Sequence, residues 1–146
     1  MAFPARSRLA PLALLLLVSA GAALAQVPET GAPTFQLVRL QAGTGKAIAQ
    51  GQTALVQYTG WVYDASAPGH RGRQFDSSIP RGSPFSFRVG DHMVIPGWDQ
   101  GVLGMKVGEK RELILPPAWG YGALGSGDRI APNTSLIFEV ELVGIQ

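Results

Sequence analysis

A chain of 146 residues with 15% charged side chains, twelve basic and ten acidic, is long enough for one domain with a core of its own. Its formal charge of +2 with no clustered Lys/Arg run argues against a nucleic-acid binder held by charge. There is no cysteine, so disulfides and thiol chemistry are excluded, and two isolated histidines, His70 and His92, do not make the spacing of a zinc site.

The first quarter reads as an address. Arg6 and Arg8 precede an apolar run from Leu9 to Ala25, which closes on the small-x-small triplet Ala23-Leu24-Ala25. That is the pattern of an export signal cleaved before Gln26. The alternative is an uncleaved membrane anchor. Against it, the run is interrupted by Pro11, Ser19 and Gly21 and is short for a span of ~20 apolar residues. Cleavage removes two basic residues and no acidic one, leaving ten of each, so the basic excess belongs to the leader. With no cysteine after the cleavage site, a lipid-anchored form is excluded by that route. The expected organisation is a signal peptide over 1–25, a linker over 26–33 and one domain over 34–146, in the periplasm or secreted.

Within the domain, Thr34–Leu40 is expected to be a first strand, with Phe35 and Leu37 on one side. Gln41–Gly45 is a turn. In Thr53–Thr59, Ala54, Val56 and Tyr58 alternate with Leu55 and Gln57, the signature of a half-buried strand. Asp64–Gln74 is too rich in Gly, Pro and charge for a strand and is expected to be a loop. It reads either as a solvated loop or as a contact surface for other chains through His70, Arg71 and Arg73. Gln74–Ser77 returns to a strand edge, and Phe85, Phe87 and Val89 alternate with Ser86 and Arg88. Gly108 marks a turn, Arg111–Leu115 is a strand stopped by Pro116-Pro117, and Ala118–Gly122 forms at most one turn. In Ser135–Ile145, Leu136, Phe138, Val140 and Leu142 face one way and Glu139 and Glu141 the other. With no βαβ alternation, the expected class is α+β: an antiparallel curved sheet of about five strands wrapped over one short central helix.

That helix begins at Pro96-Gly97, where Trp98, Gly101, Val102 and Met105 fall on one face. By itself the stretch describes a core helix with a core tryptophan. Glycines on both sides of Trp98 would let neighbouring backbone approach, making the indole a floor rather than a plug. Aromatic residues also gather at strand ends and loop mouths: Tyr58, Phe75, Phe85, Trp98, Tyr121 and Phe138. Such rings build an ordinary core or a shallow apolar pocket. No phosphate-binding glycine loop, nucleophile elbow or metal-ligand spacing is present, so no cofactor and no metal is expected.

Taken in order, Val56-Gln57-Tyr58-Thr59-Gly60, Phe75-Asp76-Ser77-Ser78, Pro84-Phe85-Ser86-Phe87, Val94-Ile95-Pro96-Gly97-Trp98, Gly120-Tyr121-Gly122 and Leu136–Leu142 resemble the FKBP-type peptidyl-prolyl cis-trans isomerases. The resemblance covers about residues 35–145. It implies that Trp98 is the floor of the site, Tyr58, Phe75, Phe85 and Phe138 its walls, and Val94 and Ile95 its rim. It further implies that the Ile95 N–H holds a substrate carbonyl and that the Tyr121 hydroxyl donates a second hydrogen bond. Asp76 is the lone carboxylate at the edge, with Arg81 placed to pair with it, and Ile130 caps the pocket. Relatives that bind metal carry a His-rich tail and an inserted domain, neither of which is in these residues. The implied partners are proline-containing unfolded or nascent chains and macrolides of the rapamycin type. Met93, Ser126 and Arg129 depart from common family choices and bear on peptide preference and macrolide affinity. The function implied is X-Pro isomerisation during folding of exported proteins. The alternative is a catalytically weak module of the same fold that holds client chains.

Overall fold

The computed structural model describes residues 33–146; the expected signal peptide and all but the last residue of the linker lie outside them. The described chain forms strands β1 (Gln36–Gln41), β2 (Thr53–Tyr63), β3 (Arg71–Ser77) and β4 (Phe85–Arg88), then helix α1 (Pro96–Val102), then β5 (Lys110–Leu115) and β6 (Leu136–Ile145). All pairings are antiparallel, in the order β1-β5-β6-β2-β3, with β4 also on β2. The sheet therefore has five positions but six strands. β4 takes the Thr53–Val56 end of β2's free edge and β3 the Thr59–Tyr63 end, so the expected antiparallel sheet over one short helix is what forms.

The two long strands carry the core. Along β2, Ala54, Val56, Tyr58 and Gly60 are buried while the residues between them are not. β2 meets β6 over nearly its whole length, with Tyr58 opposite Val140 and Gly60 opposite Phe138. On β6, Leu136, Phe138, Val140 and Leu142 are buried on the same face. Each fully buried side chain of this kind contributes ~1.5–3 kcal/mol, so the alternation fixes the register as well as the fold.

A helix of seven residues would not persist alone; α1 is held by its surroundings. Gly97 and Gly101 let it sit against Leu115 and Leu113 of β5, and a Cβ on Gly101 would lie 2.6 Å from the Leu113 methyls. The close approach is to leucine side chains at both glycines and also to backbone at Gly97, where a Cβ would lie 2.9 Å from the Trp119 carbonyl, as the glycine spacing suggests. At the other end, Arg111 Nη1 donates to the carbonyls of Gly101 and Leu103, both at 3.0 Å, satisfying groups the helix leaves open. Arg111 is itself paired with the buried Glu109, which also lies 3.6 Å from Arg39.

The segment expected to be a loop over 64–74 is only partly one. After a single 3₁₀ turn at Pro68–His70, the chain is already strand from Arg71. Arg71 Nη2 donates to Glu112 at 2.9 Å and Glu139 at 3.1 Å, and its guanidinium lies over the Trp61 ring at 4.2 Å. Gly72 lies so close to the Val62 carbonyl that a Cβ would be 2.8 Å from it. Charge and glycine here serve the sheet.

Candidate functional site

β2, β3, β4, β6 and α1 bring their aromatic side chains to one end of the sheet, around a cavity of about 390 Å³. Trp98 lies beneath it, almost fully buried. Three rings meet the indole edge-to-face: Tyr58 at 4.8 Å and 79°, Phe138 at 5.4 Å and 85°, and Phe85 at 5.8 Å and 80°. Phe75 stands against Phe138 at 5.5 Å and 89°. This edge-to-face geometry is the favoured arrangement for rings with quadrupoles and leaves their outer faces for a ligand. Trp98 Nε1 is the buried side-chain polar atom without a hydrogen-bond partner among the described residues. Its neighbours are rings, so the floor is apolar apart from this one N–H.

Gly60 makes the aromatic wall possible. A Cβ there would lie 2.7 Å from both Phe75 Cζ and Phe138 Cε1. The tyrosine two residues earlier is fixed by Ser78, whose hydroxyl accepts the Tyr58 N–H at 2.8 Å and whose own N–H donates to the Tyr58 carbonyl at 2.9 Å. Both residues are in the strings that carried the resemblance, but only three-dimensional packing shows what they do.

The one carboxylate at the cavity is Asp76. Its Oδ2 accepts from the Tyr58 hydroxyl at 2.6 Å, and its Oδ1 accepts from Arg81 Nη2 at 2.7 Å and from the Ser77 N–H at 2.9 Å. The pairing with Arg81 is therefore realised. Burial first, then the hydrogen bond and charge of Asp76, push the Tyr58 phenol up to about 12 against a weaker pull from Arg81. Tyr121 is also raised, by burial and then by the charge of Asp76. Both phenols are hydrogen-bond donors throughout the physiological range.

Val94 and Ile95 line the cavity from the segment that leads into α1. The Ile95 carbonyl accepts from the Trp98 N–H at 3.0 Å, whereas the Ile95 N–H has no acceptor among the described residues. Met93 lines the cavity beside them and is exposed, although the sequence singled it out only as a departure. Ile130, expected to cap the pocket, is buried in the core cluster that includes Tyr58, Trp98 and Phe138, and its carbonyl accepts from the Ser126 N–H at 2.8 Å, a bridge that closes this loop on itself. Nine of the ten expected site residues thus surround one cavity and the tenth supports the loop beside it.

Of the three residues suggested as a contact surface, Arg71 is committed to Glu112 and Glu139, and Arg73 Nη2 donates to the Arg129 carbonyl at 2.6 Å. His70 stacks on Tyr63 at 5.2 Å.

Among the described residues no three His, Asp or Glu side chains gather as metal ligands would. The arrangement offers no nucleophile and no free base. It offers an apolar cleft, a free N–H at the rim and the Tyr121 phenol as a donor, the Tyr58 hydroxyl being committed to Asp76, which suits a group recognised by shape and a carbonyl.

Comparison with known proteins agrees with that chemistry. Residues 44–143 match the family model described as FKBP-type peptidyl-prolyl cis-trans isomerase. The chain is 54% identical over 95 residues to FK506-binding protein 2 of Dictyostelium discoideum, covering 65% of this chain and 66% of that one. It is 48% identical over 105 residues to FK506-binding protein 1B of Neurospora crassa, covering 72% and 92%. It is 45% identical over 106 residues to an FK506-binding protein of Neisseria meningitidis, covering 73% and 91%. On a family model that matches most of the chain and relatives 45–54% identical, the chain belongs to the FKBP-type peptidyl-prolyl cis-trans isomerases.

Proposed function

We propose that this isomerase accelerates X-Pro isomerisation during the folding of exported proteins, using the cavity above Trp98. The observation that carries the site is the contrast between its rings and its single carboxylate. Asp76 already accepts from Tyr58, Arg81 and Ser77, which supports a cleft that works without proton transfer.

An X-Pro amide faces a barrier of ~18–20 kcal/mol because rotation breaks amide resonance. On twisting, the carbonyl and nitrogen lose their charge separation. A dry ring-lined cleft disfavours the planar, polar amide more than the twisted one, and each ~1.4 kcal/mol of that difference is worth tenfold in rate. In this reading the proline ring sits on Trp98 between Tyr58, Phe75, Phe85 and Phe138. The free Ile95 N–H holds a substrate carbonyl, and the Tyr121 hydroxyl donates a second hydrogen bond. The names of the relatives as FK506-binding proteins support macrolides of the rapamycin type as competing occupants.

Export rests on Arg6, Arg8, the leucine run and Ala23-Leu24-Ala25, with cleavage before Gln26, a linker to residue 33 and periplasmic or secreted delivery of the domain. Mass spectrometry of the protein from its native host should find Gln26 at the N-terminus; an intact Met1 would sink this part. The rival role, holding client chains with little catalysis, is separated by comparing isomerisation of a short X-Pro peptide with refolding of a protein lacking a critical proline. Activity confined to the second assay would favour the rival.

A further inference from the structure

We propose that Asp99 is a positioning residue for the isomerase reaction, holding the Gly90–His92 loop so that Met93, Val94 and Ile95 stand at the cavity mouth. The inference rests on the reading above that the Ile95 N–H grips the substrate.

Asp99 follows Trp98 in α1 and is only 6% exposed, an unusual place for a carboxylate. Among the described residues no lysine or arginine pairs with it; the exposed His92 ring has its Nδ1 3.9 Å away. What it does contact is backbone. Oδ1 accepts from the Gly90 N–H at 2.9 Å and Oδ2 from the His92 N–H at 3.2 Å. Buried carboxylates persist where hydrogen bonds replace their lost hydration. Here those bonds all come from the loop that precedes the rim.

The loop needs holding. Gly90 has φ +89° and His92 has φ +56°, the second in the left-handed region that a residue with a Cβ seldom adopts. An aspartate acceptor for both N–H groups compensates for that conformation. Three residues later the chain is fixed again, because the Ile95 carbonyl accepts from the Trp98 and Asp99 N–H groups at 3.0 and 3.4 Å. Met93–Ile95 are therefore strung between two anchors on the same helical turn that carries the floor. Asp99 makes the rim and floor one body, and the Ile95 N–H keeps its aim at the cleft.

The test joins two variants with one measurement on the wild type. Asp99→Asn keeps the size but has one acceptor oxygen in place of two, setting its NH₂ against a loop N–H. It should lower kcat/KM for a short X-Pro peptide about tenfold, mostly through KM, because a misaimed rim weakens grip in ground and transition states alike. Adding His92→Gly removes the cost of the left-handed backbone and should restore at least about threefold of that loss, read at a temperature where circular dichroism shows both variants fully folded so that a general loss of stability cannot account for it. In the wild-type chain, the Gly90 and His92 amides should exchange with solvent at least about tenfold more slowly than the Met93 amide, whatever the variants do. Full activity in Asp99→Asn, loss without rescue, or exchange at Gly90 and His92 as fast as at Met93 would each overturn the proposal. A wild-type protein unable to isomerise the peptide would count instead against the mechanism proposed above, while the exchange pattern would still judge the hold of Asp99 on the loop.

Discussion

Asp76 is the residue on which two mechanisms divide. A general base needs a free lone pair facing substrate, and such groups typically contribute ~10²–10⁴-fold. Asp76 already accepts three hydrogen bonds, so Asp76→Asn should cost activity only modestly. The wild-type kcat/KM should stay nearly flat from about pH 6 to 8, since the neighbouring phenols titrate far above that window. Phe75→Ala should cost more, having removed a wall, with Tyr121→Phe between the two. A bell-shaped wild-type profile abolished by Asp76→Asn would refute the dry-cleft mechanism. Phe138→Ala should be equally severe but is less clean, because Phe138 is fully in the core and its loss costs ~3–5 kcal/mol of stability. Gly60 offers a sharper probe of the same wall. Gly60→Ala adds a methyl where Phe75 and Phe138 already stand, at 2.7 Å from each. One ring must move into the cleft, so kcat/KM should fall by about tenfold or more while overpacking costs ~1–3 kcal/mol. Unchanged kinetics with circular dichroism intact would show that the wall is not where substrate sits.

At the scale of elements, what the sequence revealed depended on how local the cause was. The helix over Trp98 was legible because Pro96-Gly97 opens it and its buried residues repeat at helical spacing, both local signals. The alternation in β2 and β6 was legible for the same reason. The start of β3 was not. Its strand character comes from Arg71 reaching Glu112 and Glu139, 41 and 68 residues away in the chain, and no window of sequence contains those partners. The hairpin therefore divides in two, and so does the expected effect of shortening it. Replacing Ala65–His70 with a tight Asp-Gly-type turn should leave peptide isomerisation and thermal midpoint near wild type. Extending the replacement through Arg73 should cost about 1 kcal/mol or more, since it leaves Glu112 and Glu139 without their shared cation. It should also lower activity by freeing the Arg129 carbonyl and the loop that carries Tyr121. Equal behaviour of the two replacements in thermal unfolding and peptide assays would show that the arginines are not anchors.

For the whole molecule, the α+β class followed from patterning, because one buried sheet face imposes a period that any window displays, whereas the strand order β1-β5-β6-β2-β3 is set by pairings that no window contains. Its response to pH follows from groups that patterning does not expose. Glu109 is buried, and burial alone would raise its pKa, but the Arg111 hydrogen bond, the Lys106 N–H and the charges of Arg111 and Arg39 outweigh this and lower it. A carboxylate lowered in the folded state contributes stability that is complete above its unfolded value of ~4.3 and is lost as pH falls through the folded value. Tyr58 has the opposite sign. Raised from near 10 to about 12, it contributes stability that is complete below pH ~10 and is lost as pH climbs to about 12. At ~1.36 kcal/mol per unit, the tyrosine contribution is on the order of 2–3 kcal/mol. Tyr121 adds to the same alkaline loss with a smaller share, being more exposed. Urea midpoints measured from about pH 3 to 12 should thus form a plateau with two falling limbs. Tyr58→Phe should flatten most of the alkaline limb and leave the acid limb in place, whereas Glu109→Gln should lower the plateau and flatten the acid limb. An alkaline limb unchanged in Tyr58→Phe would mean that the Tyr58–Asp76 hydrogen bond does not couple the cleft to the stability of the fold.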